Sequence, residues 1–375
     1  MAKAPATFSL KDQLFNADSL GDLADEFAGA VPGFDRDAFH ADALSGIAER
    51  SLMECLDWFA DCLEPHLAAD FPAMADQLQA AMPPRLDPTL RDDDFGRFIH
   101  AVPGVLTVRH GLENHREQAL DLLYEATQRF SMEFYIRVFL NRWPDETLAR
   151  LMTWAGDDNY HVRRLVSEGT RPKLPWARKV ELTLDQTLPL LDRLHADPTR
   201  FVTRSVANHL NDVAKSDPTA VLERLMAWEA KATQDTKEHA WMRRHALRTL
   251  IKDGHPGAME MLGYRGDADL SVSVDVATPQ VSLGDALEFT VTMEGAEATP
   301  VLVDYRIRFA RPGGRSGEKV FKLKVAEVKP GKPLLLKKVH KLKANATTFE
   351  LHPGAHGLVV QVNGVDRAEA SFGIV

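Results

Sequence analysis

Apolar residues recur at helical spacing from about residue 10 to about residue 265, with turn punctuation at Pro32-Gly33, Pro83-Pro84, Pro103-Gly104, Pro144, Pro172 to Pro175, Pro198 and Pro218. After Leu270 the period drops to two. In Leu287-Glu288-Phe289-Thr290-Val291-Thr292-Met293 every odd-numbered position is apolar, as in a strand with one buried face. Val301 to Phe309, Lys319 to Val328, Pro333 to Leu342, Leu358 to Val365 and Ala368 to Ile374 read the same way. About seven short strands separated by Gly, Pro and Asn turns predict an immunoglobulin-like sandwich. The period changes between Gly263 and Asp269, which divides the chain into a helical domain, 1–265, and a strand domain, 270–375.

The helical part repeats itself. Asn159-Tyr-His-Val-Arg-Arg-Leu-Val-Ser-Glu168, Thr199-Arg-Phe-Val-Thr-Arg-Ser-Val-Ala-Asn208 and His239-Ala-Trp-Met-Arg-Arg-His-Ala-Leu-Arg248 align at a spacing of 40 residues. Arg150-Leu-Met-Thr-Trp154 matches Arg224-Leu-Met-Ala-Trp228 in the preceding helix of two units. Two helices per unit at a period near 40 predict a HEAT-like α-solenoid, in which equivalent residues form a ladder. The expected fold is therefore mainly α: a HEAT-like α-solenoid followed by an all-β immunoglobulin-like sandwich.

Charge refines this picture because the net −9 is unevenly spread. Residues 1–100 sum to −12, residues 101–270 to 0, and residues 301–350 alone to +9. Basic surfaces behind an acidic end fit a protein that touches a polyanion with selected faces; a merely solvated charged face is the plain alternative. No apolar run approaches the roughly 20 residues of a membrane span. Met1 to Leu10 hold one lysine and no apolar segment leading to a small-residue cleavage site, which gives no support for a secretory signal and predicts a cytoplasmic location. Cys55 and Cys62, seven apart, read as two reduced core thiols.

Within the repeats, Arg164 and Glu168, Arg204 and Asn208, and Arg244 and Arg248 are each four apart, hence on one helical face. Stacked, they make a row of guanidiniums and amides suited to phosphate oxygens, with Arg243 adding to the cluster. Arginines at such positions also hold neighbouring repeats together. The segment Val162-Arg-Arg-Leu-Val-Ser-Glu-Gly-Thr-Arg-Pro-Lys-Leu-Pro-Trp176 is richer than packing requires: a helix ends near Gly169, and Pro175 suits the first turn of a next helix opened by Trp176. Upstream, Glu133 stands four residues before Arg137 on an apolar helix, where the ordinary expectation is an ion pair between them.

These segments resemble the AlkC group of HEAT-like DNA alkylation-repair glycosylases, relatives of the AlkD group. The likeness runs from Leu10-Lys-Asp-Gln-Leu-Phe-Asn16 through Arg129-Phe-Ser-Met-Glu-Phe-Tyr-Ile-Arg-Val-Phe-Leu140 and is sharpest in Val162 to Trp176. It continues through Ser205-Val-Ala-Asn-His-Leu-Asn-Asp212 and His245-Ala-Leu-Arg-Thr-Leu-Ile-Lys252. Residues 270–375 look like the immunoglobulin-like extension that some members carry. Tyr135 and Val138 stand where Ala and Pro are expected, beside Glu133, and Ser51-Leu-Met-Glu54 replaces a more basic stretch.

The resemblance implies excision of cationic bases of the 3-methyladenine and 3-methylcytosine class from duplex DNA, in base excision repair and without base flipping. Alkylation at a ring nitrogen makes the base a good leaving group, so the task is to stabilise the oxocarbenium character of the sugar and to orient water. Glu133 and Glu168 would divide those duties. Trp176 would offer its face to positive charge, and Arg164 would orient Glu168 or grip a phosphate, with Arg171 a second phosphate ligand. Arg204, Asn208, Arg243, Arg244 and Arg248 would follow the backbone, and Arg306, Arg308, Lys322, Lys324, Lys337 and Lys338 would hold the far side. No cofactor, metal or stable oligomer is implied; the expected form is a monomer acting on alkylated double-stranded DNA at the bacterial nucleoid.

A noncatalytic HEAT-like scaffold for DNA or protein is the main competing reading. Among fourteen scattered histidines, His110 and His115 lack the four-residue spacing and acidic context of a zinc site. Gly313-Gly-Arg-Ser-Gly-Glu-Lys319 fails the spacing of a phosphate loop and reads as a hairpin connection.

Overall fold

A computed structural model of the chain describes residues 9–92, 94–310, 316–342 and 351–375. The first helices are α1 (Leu10–Leu14), α2 (Ala17–Ala30), α3 (Arg36–Ser45), α4 (Leu52–Leu63) and α5 (Phe71–Ala80). Local chemistry starts them: Asn16 and Ser19 form a reciprocal capping box at α2, and Asp35 and Asp70 cap α3 and α5. Cys55 and Cys62 lie on α4 as free thiols, and burial pushes Cys62 up to about 11.

After a long connection come α6 (Val102–Gly111), α7 (Arg116–Thr127), α8 (Glu133–Arg142), α9 (Pro144–Trp154), α10 (Tyr160–Gly169), α11 (Leu184–Leu194), α12 (Arg200–Val213), α13 (Pro218–Lys231) and α14 (Thr236–Ala246). Alternate helices pack in succession: α6 on α8, α8 on α10, α10 on α12 and α12 on α14, while α9 packs on α11. This is the HEAT-like stack predicted by the 40-residue repeat. Buried apolar residues recur every three to four positions, as in Phe201, Val202, Val206, Leu210 and Val213 of α12. Ion pairs stitch neighbouring repeats: Arg163 Nε reaches forward to Asp197 Oδ2 at 2.5 Å and Arg200 forward to Glu238, while Arg224 Nη1 reaches back to Asp192 Oδ2 at 2.6 Å.

The chain divides into two compact units, the first taking the described residues up to Ser216 with Arg224–Ala246, the second Asp217–Glu223 with Leu247–Val375. In the second, α15 (Arg248–Lys252) and α16 (Pro256–Met261) precede the strands β1 (Leu270–Val276), β2 (Gln280–Val281), β3 (Ala286–Gly295), β4 (Thr299–Ala310), β5 (Ser316–Val328), β6 (Leu334–Lys341), β7 (Gly354–Val362) and β8 (Val365–Ile374). They form a three-stranded sheet, β1-β3-β6, and a five-stranded sheet, β2-β8-β7-β4-β5. All pairs are antiparallel except β2 with β8. Inward residues of both sheets, among them Leu287, Phe289, Val291, Val303, Tyr305, Leu358 and Val360, share one core. Met259 and Tyr264 pack on Leu302, and the Asn363 side chain accepts from Leu302 N and donates to the Arg265 and Pro300 carbonyls, which seats the β7–β8 turn on the segment leading into β1. The Gly313 to Arg315 part of the expected hairpin connection lies outside the described residues.

Two expectations need correction. The repeat places Arg244 and Arg248 on one helix, but the helix breaks at Leu247 (φ −90°, ψ 3°), where the chain passes from the first unit to the second. Tyr135 does not border the Glu133 pocket. Two residues along a helix turn the side chain by about 200°, and its ring packs over Gly104 of α6, where an added Cβ would lie 2.1 Å from Cδ2.

The Gly104 contact is testable. Gly→Ala within a helix is ordinarily favourable by about 1 kcal/mol, but here the new methyl meets a buried ring, and overpacking costs about 1–3 kcal/mol. Gly104→Ala should therefore lower the denaturant midpoint of the wild-type chain and raise it in a Tyr135→Ala background. The same sign in both backgrounds would remove the contact as the cause.

Candidate active site

Three packed helices each deliver charge to one place. Glu133 opens α8, where the helix N-terminus favours a carboxylate, and Ser131 Oγ donates to its Oε2 at 2.7 Å. From α10, Arg164 Nη1 donates to the same Oε2 at 3.0 Å and to Ser131 Oγ at 3.1 Å, while its Nη2 stands 3.8 Å from Glu168 Oε1. Arg171, just past α10, donates to Glu168 Oε1 at 2.5 Å and grips Asp212 Oδ2 of α12 at 2.9–3.0 Å. Ser205 Oγ of α12 donates to Glu168 Oε2 at 2.5 Å. Lys215 bonds the other Asp212 oxygen at 3.0 Å, and Arg164 lies over the Phe201 ring at 4.6 Å.

Burial shapes the electrostatics. Burial pushes the Glu168 carboxyl up, but Arg164, Arg171 and the Ser205 hydroxyl outweigh it and hold the group below the ordinary glutamate range. Burial likewise disfavours the charges of Arg164 and Arg171. Their carboxylate partners, Glu133 and Glu168 for Arg164 and Glu168 and Asp212 for Arg171, reverse that and raise both. His209, fully buried beneath them with Nδ1 3.2 Å from the Ser167 carbonyl, is pushed down by burial to about 4 and stays neutral near pH 7.

Arg137 does not pair with Glu133, which removes the ordinary ion pair expected from their spacing. Its side chain is 0% exposed and donates to three backbone carbonyls, Gly169 at 3.0 Å, Arg171 at 2.8 Å and Arg178 at 2.5 Å. Burial, reinforced by Arg171, lowers it to about 10, so it remains a cation at neutral pH. The connection after α10 is thus clamped. Trp176 does not open a helix: it sits at φ +61° with 61% of its surface exposed, and α11 begins only at Leu184, behind a Thr183–Gln186 capping box. Trp176 makes no ring contact or side-chain hydrogen bond among the described residues.

The structure therefore brings Glu133, Arg164, Glu168 and Arg171 together and disperses the other candidates. Arg204 pairs with Asp92, the Asn208 amide oxygen meets His245 Nε2 at 2.9 Å, and Arg243 pairs with Glu229 at 2.8 Å. Arg244 is exposed on α14, and Arg248 is exposed in the second unit. On the strands, Arg306 is held by Glu318 and Asp366, and Arg308 by Glu369 and Glu318. Lys322, Lys324 and Lys337 are exposed, while Lys338 is half-buried on the opposite face of β6 from Lys337. Among the described residues no cluster of His, Cys, Asp or Glu is arranged to hold a metal, and no helix is long and apolar enough to cross a membrane.

Comparison with known proteins decides the family. Residues 125–250 match the DNA alkylation repair enzyme family, and residues 271–375 match the C-terminal Ig-like domain of uncharacterised protein YhaZ. YhaZ of Bacillus subtilis (strain 168) is 31% identical over 263 residues, 69% of this chain and 72% of that protein. The Pseudomonas fluorescens alkylpurine DNA glycosylase AlkC, solved bound to DNA containing an abasic site analog, superposes with a TM-score of 0.85 at 30% identity, covering 98% of this chain and 100% of that one. The chain belongs to the AlkC family of DNA alkylation-repair proteins.

Sequence reasoning misses Arg137, Ser205 and Asp212 of this AlkC-type cluster. The last two lie inside a segment that carries the resemblance, but the 40-residue register sets Ser205 against Leu165, an apolar position that gives no hint of a carboxylate partner. The role of Arg137 is hidden because i, i+4 spacing on a helix cannot show which side is covered.

Truncating the clamp should be visible locally. Arg137→Met leaves three carbonyls without their donor, each worth about 1–3 kcal/mol when buried. Amide hydrogen exchange across 169–178 should accelerate and acrylamide should quench Trp176 more strongly, with Arg137→Lys intermediate. Unchanged exchange in that connection would show that the carbonyls find other donors.

Proposed function

We propose that this chain is a DNA glycosylase that releases cationic N-alkylated bases, of the 3-methyladenine and 3-methylcytosine class, from duplex DNA during base excision repair. The observation that carries the reading is the Glu133–Arg164–Glu168 bridge: two carboxylates from successive repeats joined by one guanidinium. A cationic base leaves readily, so the protein's contribution is negative charge facing the sugar and a positioned water. Glu133, the more exposed of the two carboxylates, would face the sugar. Glu168, ionised and held by two arginines, would keep Arg164 in place beside Glu133. Trp176 would present an aromatic face to the charged lesion, worth about 0.5–2 kcal/mol.

The relative solved with DNA supports DNA as the partner. Arg164 and Arg171 would meet the phosphates beside the lesion, and the row through Arg204 and Arg244 would follow the backbone, all without extruding the base. The strand unit would serve as an accessory DNA-binding domain through Lys322, Lys324 and Lys337, with Arg306 and Arg308 available once phosphate competes with their carboxylates. Such a protein would act on the nucleoid in the cytoplasm.

Base release decides between this enzyme and a scaffold. Glu168→Gln keeps the shape and removes the charge, so single-turnover release of 3-methyladenine from methylated duplex should fall by at least about a hundredfold while DNA affinity stays largely intact. Wild-type protein that binds the duplex yet frees no base would be a scaffold, and equal release by the variant would remove Glu168 from the reaction.

The pH profile follows from the lowered Glu168 value. Its charge is fully present above the unfolded glutamate value of about 4.3 and is lost only as pH falls through the lower folded value. The acid limb of wild-type release should therefore lie below about pH 4.3. A limb above that point would mean that a different group controls the reaction.

A further inference from the structure

The connection between α5 and α6 leaves a phenylalanine half uncovered beside the charged cluster. Phe95 is 50% exposed, and its ring meets Phe201 edge-on with centroids 5.1 Å apart and lies 5.9 Å from the Arg164 guanidinium carbon. A single exposed phenylalanine is common on a protein surface. This one differs because its backbone is fixed from both flanks. On one side, Gly96 (φ +66°) bridges to Phe130, just before Ser131 and Glu133, so closely that an added Cβ would lie 2.0 Å from the Arg129 carbonyl oxygen. On the other, the Arg91 carbonyl accepts from Phe201 N at 3.0 Å and Asp92 pairs with Arg204. The same α12 turn that supports Arg164 through Phe201 thus also holds Phe95.

We propose that Phe95 is a substrate-contacting residue, an apolar wedge that packs against the base next to the lesion when the sugar is drawn toward Glu133. The proposal rests on the glycosylase reading above. Arg164 touches Glu133 at 3.0 Å and stands 5.9 Å from the Phe95 ring, so a nucleotide in contact with that pair comes within reach of the ring. Apolar side chains inserted at base steps unstack them and bend the duplex, which lets side chains reach a sugar that remains inside the helix. Aromatic faces accept any base, so the contact would aid opening without selecting sequence. No covalent step is involved; the ring fills the gap that bending opens.

The test uses the full chain and two readouts. A duplex with 2-aminopurine next to a tetrahydrofuran abasic analogue reports unstacking by fluorescence, and a duplex carrying 3-methyladenine reports base release under single turnover. Phe95→Ala should lose the fluorescence rise and slow release by about tenfold to a hundredfold, while Phe95→Trp, which keeps an aromatic face against Phe201, should restore both. Phe95→Ala that matches wild type in fluorescence and in release overturns the proposal, as does a Phe95→Ala defect that Phe95→Trp leaves unrelieved while both variants melt at the wild-type temperature. A wild-type chain that brightens 2-aminopurine but frees no base overturns the glycosylase reading and leaves the wedge standing.

Discussion

A carboxylate enclosed as fully as Glu168 survives as an anion only where positive charge and hydrogen bonds replace the water it has lost. Here the replacement comes from three directions: Arg164 on its own helix, Arg171 just beyond, and Ser205 on the next repeat. Because Arg164 also bonds Glu133 on the previous repeat and Arg171 also bonds Asp212 on the following one, the charge balance and the stacking of α8, α10 and α12 are a single constraint. Apolar stripes let stacked helices slide with modest loss. This cluster does not, since displacement of any member would strand a buried charge at a cost of about 3–5 kcal/mol.

The same constraint explains what can be read in advance. The 40-residue repeat and the alternation of Leu287 to Met293 depend on periodicity, which the amino-acid pattern carries directly, and both the helical stack and the two sheets follow from it. Arg164 and Glu168 are legible because four-residue spacing places them on one face. Long-range matters are hidden. Pro175-Trp176 carries every local sign of a helix start, yet Trp176 takes a left-handed φ and the connection is pinned on both sides of it by Arg137, nearly 40 positions earlier. Lys337 and Lys338 look like one basic patch in the sequence, yet a strand sends neighbours to opposite faces. Tyr135 looks like an intruder at the site because sequence shows the departure from the family but not Gly104, the absent side chain on α6 that accommodates it.

Positions that are equivalent in the repeat have diverged in use. Arg164, Arg204 and Arg244 share one register, yet the first is enclosed between two glutamates, the second is half-covered and paired with Asp92, and the third is exposed. The difference lies in the neighbours. Only Arg164 has a carboxylate at the start of the preceding inner helix and another one turn later on its own, and at the position matching Glu168 the next repeat carries Asn208, which bonds a histidine instead. A repeating scaffold thus supplies evenly spaced basic side chains, and one unit is specialised where two carboxylates enclose the arginine in a buried ion-pair cluster. That specialisation needs rigidity on both sides of the cluster. Arg137 fixes the connection bearing Trp176, and the Gly96 bridge with the Arg91 carbonyl fixes the one bearing Phe95, so two exposed aromatic residues sit on connections held by backbone hydrogen bonds, Phe95 with one edge against Phe201 as well. A connection held in this way presents its ring to a partner at a lower cost in backbone ordering when the partner arrives.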